Sequence, residues 1–175
     1  ADPMAIFQPP TFAATPPLPT KLDPKSDSLI SEPLIVSFSH IADGYPKLVM
    51  TGPLTSGRTT ALAMMVWQTA KRASKKRPYE RFPLWIDLAQ WKNLPQAEPL
   101  PPVERLVQLA ELFMTGLVPK WVLAHLRNEP SLILVDNWET LPPNEHSVVA
   151  RWFAEVAQGL PKSCWLVASG EAGYG

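Results

Sequence analysis

The sequence has almost no cysteine, no net charge and no long apolar run. Its one cysteine, Cys164, excludes a disulfide framework and favours a reducing, cytoplasmic setting; its place in an apolar run predicts a buried thiol. Sixteen basic residues balance sixteen acidic ones, so the overall charge gives no reason to expect nucleic acid as a partner. No apolar run approaches the length of about 20 residues that a membrane span needs, so no membrane partner is expected.

Proline, by contrast, is abundant, with 21 residues among 175. Prolines crowd the first part of the chain, and because proline lacks a backbone donor this part cannot form a helix or a central strand. We predict an extended arm or linker over residues 1–32, in which Ala1–Pro3, before Met4, resemble a remnant of expression. Residues 33–175 suit one domain with a packed core, since 46% of the chain is hydrophobic and 18% is charged.

Apolar strands and amphipathic helices alternate along this domain. The predicted strands cover residues 34–38, 47–51, 82–88, 131–136 and 164–168, and the predicted helices cover residues 59–73, 103–113, 121–126 and a segment from an Asn144 cap to Gly159. The strands are apolar throughout and do not alternate in polarity, as expected when helices cover both faces of a sheet. We therefore predict an α/β fold, a three-layer sandwich with a mainly parallel sheet.

The segment Gly52–Thr60 fits the phosphate-loop pattern G-x-x-x-x-G-K-[ST] at every fixed position except the lysine, which is Arg58. It follows a predicted strand and opens a predicted helix, as the motif requires. Glycines let the backbone curl around phosphates, and the amides present partial positive charge to them. The candidate nucleotide-binding residues are Gly52, Thr55, Ser56, Gly57, Arg58, Thr59 and Thr60. The alternative is a tight strand-to-helix turn that happens to contain two glycines.

Two acidic residues lie at the end of a later strand. Asp136 ends the apolar run 131–136, and together with the Thr59 hydroxyl it is the candidate ligand of Mg²⁺, which a nucleotide site requires. Glu139 is the candidate catalytic residue, which would polarise an attacking water; the alternative is a solvated loop carboxylate. Arg58 keeps the charge of lysine but has a planar, bidentate shape, so binding can survive while phosphoryl transfer is impaired.

These segments resemble the NACHT branch of the STAND P-loop NTPases. The family motifs are G-x-x-G-x-G-K-T, L-P-L-hydrophobic-x-L, D-G-hydrophobic-D-E and T-S-R, and their counterparts here are residues 52–60, 82–88, 132–140 and 166–170. The likeness covers residues 45–170 and rests on order and spacing more than on identity. It implies a P-loop NTPase core whose fifth strand and lid lie outside this chain, in a signalling switch where the nucleotide state controls assembly.

Three phosphate-facing positions depart from the family pattern: Arg58 replaces the lysine, Thr140 replaces an acid, and Gly170 replaces the arginine of T-S-R. They predict weak or absent hydrolysis. We expect a switch or assembly domain that binds ATP or GTP, with ATP favoured, together with Mg²⁺ and contacts other protein domains or itself. The alternatives are a pseudo-NTPase interaction module without nucleotide and an active hydrolase that uses Arg58 in place of lysine.

Seven tryptophans are many for this length. Those in predicted helices and strands are expected in the core, namely Trp67, Trp85, Trp121, Trp152 and Trp165. Trp91 and Trp138 lie in predicted loops and are better candidates for a partner surface.

Overall fold

A computed structural model describes residues 12–14, 34–36, 46–53, 55–73, 81–95, 100–114 and 118–170. The chain divides into two compact units, Ala1–Tyr45 and Pro46–Gly175. The boundary between arm and domain that the sequence places after residue 32 stays a prediction.

The first unit contains two short strands, β1 (Phe12–Ala14) and β2 (Leu34–Val36). They pair in antiparallel register, with Phe12 opposite Val36. The run predicted at residues 34–38 therefore forms a strand, but one that pairs with β1 and does not join the parallel sheet. β1 lies within the proline-rich part of the chain, between prolines that bound it on both sides.

The second unit alternates strands and helices. In chain order its elements are β3 (Lys47–Thr51), α1 (Arg58–Ala73), β4 (Phe82–Asp87), α2 (Pro102–Phe113), α3 (Trp121–Asn128), β5 (Ser131–Asp136), α4 (Pro143–Gly159) and β6 (Ser163–Ser169), with 3₁₀ turns at Leu88–Asn93 and Trp138–Thr140. The four strands form one sheet in the order β3-β6-β5-β4, and every neighbouring pair is parallel. The predicted α/β class and parallel sheet are thus confirmed for the described residues.

The central strand β5 explains why its sequence is apolar at successive positions. All six of its residues are buried. Ile133 and Val135 belong to the main core cluster, which α2, α3 and α4 complete. Leu132 and Leu134 point to the opposite face, because successive strand residues alternate; α1 packs against β4 and β5 and buries Leu62. Helices therefore cover both faces of β5.

The strand register brings the loops that carry the candidate site to one edge of the sheet. Asp87 at the end of β4 pairs with Asp136 at the end of β5. Thr51 at the end of β3 pairs with Ser169 near the end of β6. Parallel strands place all four carboxyl ends at the same edge, so the chain segments after β3, β5 and β6 meet there.

The expectation for the tryptophans is wrong at several positions. Trp91, expected on the surface, is 9% exposed and packs on Trp152 in the core, with ring centroids 5.1 Å apart. Trp138 is also packed against the core cluster. Trp67 and Trp121, expected in the core, are 43% and 53% exposed. A position within a helix does not determine which face of the helix a side chain occupies, and these predictions rested on that position alone.

Helix α4 does not begin at an Asn144 cap. Its N-cap residue is Pro142, which makes no side-chain cap hydrogen bond, and Pro143 occupies the first helical position. Proline suits that position because its missing N–H would have no partner there.

Cys164, predicted to be buried, is 2% exposed. No helix in the described ranges has both the length and the hydrophobicity that crossing a bilayer requires.

Candidate functional site

The segment between β3 and α1 is a tightly turned loop. The Ser56 N–H donates to the Pro53 carbonyl at 3.2 Å, and the Gly57 carbonyl accepts from the Ala61 N–H at 2.8 Å, which starts the helix. The first backbone N–H groups of α1 have no acceptor within the helix, so they can bind an anion. Leu54 lies outside the described residues.

Both glycines of the loop pattern have a structural reason. A Cβ at Gly52 would lie 2.7 Å from Ser56 Oγ and 3.3 Å from Ser56 Cβ, so a side chain here would require Ser56 to change its rotamer and shift slightly. At Gly57 there is open space, but the φ angle is +81°, a left-handed conformation that glycine adopts without strain. A tight turn alone would need the same glycines, so these two residues do not by themselves establish a phosphate site.

Thr55 is strained in this loop. Its φ angle is 73°, in the left-handed region that a β-branched residue rarely adopts. We expect Thr55→Gly to stabilise the domain by about 0.5–1 kcal/mol, because relief of the strain exceeds the entropy that glycine adds to the unfolded chain. Urea unfolding measures the change.

The matched control is Thr60→Gly. Thr60 is exposed like Thr55 but lies in the first turn of α1. Glycine in a helix costs backbone entropy, so this change should destabilise the domain by about 0.5–1 kcal/mol. Loss of stability in both variants would contradict the strained conformation of Thr55.

The two predicted metal ligands meet in the structure. The Thr59 hydroxyl at the start of α1 hydrogen-bonds to the Asp136 carboxylate at the end of β5. Asp136 is 3% exposed, and its Oδ1 also accepts from the Asn137 N–H at 2.9 Å. Burial raises the pKa of the Asp136 carboxyl; the hydrogen bonds from Thr59 and Asn137 oppose this rise, and the nearby charges of Asp87 and Glu139 add to it.

A hydroxyl beside a carboxylate fits Mg²⁺ better than it fits a transition metal. Among the described residues, no group of three or more His, Cys, Asp or Glu side chains could hold a metal ion. Mg²⁺ in nucleotide sites is held by one or two protein oxygens, with phosphate oxygens and waters completing the octahedron. Thr59 and Asp136 can supply the protein oxygens of such a site.

Arg58 and Glu139 form an ion pair across the site. Arg58 Nη2 donates to Glu139 Oε1 at 2.5 Å, and the Gly170 N–H donates to Glu139 Oε2 at 3.1 Å. The two side chains are only 10% and 21% exposed, so Glu139 is not a solvated loop carboxylate. Burial by itself raises the pKa of Glu139, but hydrogen bonds from its own backbone N–H, Arg58 and Gly170, together with the Arg58 charge, lower it overall.

Sequence reasoning missed two residues that position Glu139. Asn137 has a φ angle of 61°, and its Nδ2 donates to Asp87 Oδ1 at 2.8 Å. The Asn137 carbonyl accepts from the Thr140 N–H at 3.0 Å, which closes the turn that carries Glu139. Asparagine tolerates this left-handed conformation better than most residues. The available signal was Asp87 itself, since it ends an apolar strand just as Asp136 does.

The other predicted nucleotide-binding residues lie in the loop before α1 and in the first turn of that helix. Thr55, Ser56, Gly57 and Thr60 are exposed, and Gly52 is half-buried. They can reach a ligand through backbone N–H groups and hydroxyls. The structure thus brings Arg58 to Glu139 and Thr59 to Asp136, and leaves Thr55, Ser56, Gly57 and Thr60 exposed to solvent.

A large groove lies on the second unit next to the candidate site, because Trp138 and Ser169, the neighbours of Glu139 and Gly170 in the chain, line it. It has a volume of about 890 Å³ and is bounded by β3, β6 and α4, with Val49, Phe153, Ala154 and Trp165 among its lining residues. None of the described residues of the loop, 52–53 and 55–60, lines it. Its apolar walls do not suit phosphates, so we assign the candidate phosphate site to the polar cluster and not to the groove.

No protein-family model, no curated protein and no solved structure matches this chain. The resemblance to the NACHT branch therefore stays a prediction from the residues of the motifs. The function has to be inferred from the geometry around Arg58, Thr59, Asp136 and Glu139.

Proposed function

We propose that the second unit is a P-loop nucleotide-binding domain of the NACHT type, which binds ATP in preference to GTP together with Mg²⁺ and hydrolyses it slowly or not at all. One observation carries the proposal. The loop that fits the phosphate pattern places the consecutive residues Arg58 and Thr59 against two acidic residues. Arg58 contacts Glu139, in the turn after β5, and Thr59 contacts Asp136, at the end of β5. Arg58 and Glu139 are 81 positions apart in the chain. A turn with incidental glycines gives no reason for these contacts.

The geometry supports a separate role in ligand binding for each of these groups. The N-terminus of α1, a helix of 16 residues, offers free N–H groups and a positive dipole end to the phosphates. Arg58 adds a formal positive charge. Thr59 and Asp136 would hold Mg²⁺, which neutralises phosphate charge when it is bound. Asp136 is buried, so its orientation toward the site is fixed.

Slow or absent hydrolysis is supported by Gly170 and by the surroundings of Glu139. Before a ligand binds, the carboxylate oxygens of Glu139 accept hydrogen bonds from Arg58 and Gly170, and these lower its pKa, which makes it a weaker base toward a water. Gly170 has no side chain to contact a terminal phosphate. We therefore propose a binding switch in a signalling or assembly protein.

The apolar groove favours a second candidate, an interaction module that retains the fold without using nucleotide. Val49 on the groove wall is 46% exposed, and apolar surface of this kind is typical of protein interfaces. The two candidates differ in one measurable property, the affinity for nucleotide.

Titration with fluorescently labelled ATP and GTP, with and without Mg²⁺, tests the proposal, with phosphate release followed in parallel. We expect saturable binding that Mg²⁺ strengthens and little phosphate release. Arg58→Ala should weaken ATP binding about 10- to 100-fold, because charge-assisted hydrogen bonds contribute about 1.5–3 kcal/mol.

The control is Arg127→Ala, which removes an arginine from an ion pair with Glu104, a pair formed between α3 and α2. It should leave ATP binding unchanged. Absence of binding at millimolar nucleotide would remove the nucleotide proposal and leave the interaction module.

A further inference from the structure

The Arg58 guanidinium is directed at the ends of two strands, although its residue belongs to the phosphate loop. Its Nη2 contacts Glu139, in the turn after β5, at 2.5 Å. Its Nη1 lies beside Gly170, directly after β6, where an added Cβ would be 3.7 Å away. Arg58 therefore spans the space between the loop and the carboxyl ends of β5 and β6.

The two partners of this ion pair are unequal in their hydrogen bonding. Both oxygens of Glu139 have donors, Arg58 Nη2 and the Gly170 N–H. Arg58 Nη1, by contrast, is buried and has no acceptor in the described structure, and the Arg58 side chain is 10% exposed. Buried guanidinium N–H groups are ordinarily paired. The unpaired donor points to an anionic oxygen that a ligand supplies.

We propose that Glu139 competes with the terminal phosphate of the ligand for Arg58, and that this competition makes the site selective for a nucleoside triphosphate over a diphosphate. The inference rests on the nucleotide-binding function proposed above. The free N–H groups at the start of α1 hold the inner phosphates. A third phosphate reaches the strand ends, where its oxygens satisfy Nη1 and replace Glu139 on Nη2. A planar guanidinium can bind two such oxygens at once.

Charge explains why the competition is selective. While Glu139 is paired, it neutralises Arg58 and presents negative charge to any incoming phosphate. A diphosphate that stops short of Arg58 gains nothing from the guanidinium and leaves the ion pair closed. A triphosphate gains the guanidinium and releases Glu139. Release also breaks the hydrogen bond from the Gly170 N–H to Glu139 Oε2. Ligand binding therefore removes one connection between the ends of β5 and β6.

Trp138 can report this release. It precedes Glu139 in the same turn, and its ring centroid lies 5.8 Å from that of His146 and 6.2 Å from that of Phe153, both on α4. A turn that moves with Glu139 changes the surroundings of the indole. Fluorescence of this tryptophan should therefore respond to a triphosphate and not to a diphosphate.

The first test measures the affinity of the full chain for ATP, ADP and inorganic tripolyphosphate, in Glu139→Gln and in the unaltered chain. Glutamine keeps an acceptor for the Gly170 N–H but loses the charge that holds Arg58. We expect Glu139→Gln to bind ATP and tripolyphosphate about tenfold or more tighter, and ADP by less than about threefold. Glu104→Gln, at the ion pair between α2 and α3, should change none of these affinities.

Three outcomes separate the two proposals. If Glu139→Gln binds ATP and ADP with an unchanged ratio of affinities, selection by Glu139 is wrong while nucleotide binding stands. If ATP, ADP and tripolyphosphate all fail to bind to any of the chains, the nucleotide function fails and this inference fails with it. An increase in affinity that is confined to ATP and tripolyphosphate supports both proposals.

A second measurement compares the tryptophan emission of the unaltered chain with ATP and with ADP, and uses Trp138→Phe to assign the signal. ATP should change the tryptophan emission, ADP should not, and Trp138→Phe should abolish the response. Equal responses to ATP and ADP, or a response that survives in Trp138→Phe, would overturn the release of Glu139.

Discussion

Asp136→Asn should make the domain more stable and, at the same time, weaken its Mg²⁺-dependent binding of ATP by about 10- to 100-fold. Asparagine keeps an oxygen for the Thr59 hydroxyl but removes the charge that Mg²⁺ would require. Asp136 is 3% exposed, and a carboxylate without its metal is unfavourable in such a place. The two effects have opposite signs because the charge serves ligand binding and not folding.

The pH dependence follows from the direction of the pKa shift. Burial raises the pKa of Asp136 in the folded state, so the folded chain binds the proton more tightly than the unfolded chain does. The stability contributed by this group is present below its unfolded pKa and is lost as pH rises through its folded pKa. The neutral asparagine does not undergo this loss as pH rises.

Thermal unfolding in EDTA measures the stability, and ATP titration over a range of Mg²⁺ concentrations measures the binding. We expect Tm to rise by about 2–4 °C, or about 1 kcal/mol, in Asp136→Asn at neutral pH. The control is Asp87→Asn, at the paired position of the neighbouring strand, whose carboxylate accepts from Ala89 and Asn137; this variant should keep the Mg²⁺ dependence. A destabilised Asp136→Asn that keeps its Mg²⁺ dependence would assign Asp136 to folding.

Ile133→Ala should cost about 3–4 kcal/mol of folding free energy, with a fall in Tm on the order of 10 °C. Ile133 is fully buried in the central strand, where its register partners are Leu84 on β4 and Trp165 on β6. Removal of its methyl groups leaves a cavity that three packed strands cannot close. Because β5 also carries Asp136, the substitution weakens the site through the fold.

Urea unfolding checks this value, with Val148→Ala as the control. Val148 lies on α4 and is 59% exposed, so its truncation should change stability by no more than about 0.5 kcal/mol. A cost below about 1 kcal/mol for Ile133→Ala would mean that β5 is not the centre of the core.

Much of the fold follows from local sequence. The run Ser131–Asp136 is a strand over the predicted residues, because six consecutive residues buried on both faces leave a clear apolar signal. The strand at Leu34–Val36 was recognised but its partner was not, since pairing with Phe12–Ala14 depends on a distant segment. The cap of α4 was wrong because a proline at the first helical position made a polar cap unnecessary.

The residues of the candidate site could be predicted from the sequence, but the contacts between these residues could not. The motif spacing indicated Arg58, Thr59, Asp136 and Glu139, and the structure groups them. The ion pair between Arg58 and Glu139 depends on the rotamers of two long side chains and on the turn at Asn137, and no residue pattern specifies these. Because of this ion pair, Glu139 already compensates the positive charge of Arg58 when no ligand is bound.

The most direct measurement is a crystal structure of the chain with Mg²⁺ and a non-hydrolysable ATP analogue. The account predicts the triphosphate in the loop Gly52–Thr60, Mg²⁺ beside Thr59 and Asp136, and Arg58 on the terminal phosphate with Glu139 released. An unchanged pair between Arg58 and Glu139 beside an empty loop, at a saturating concentration of the analogue, would contradict it.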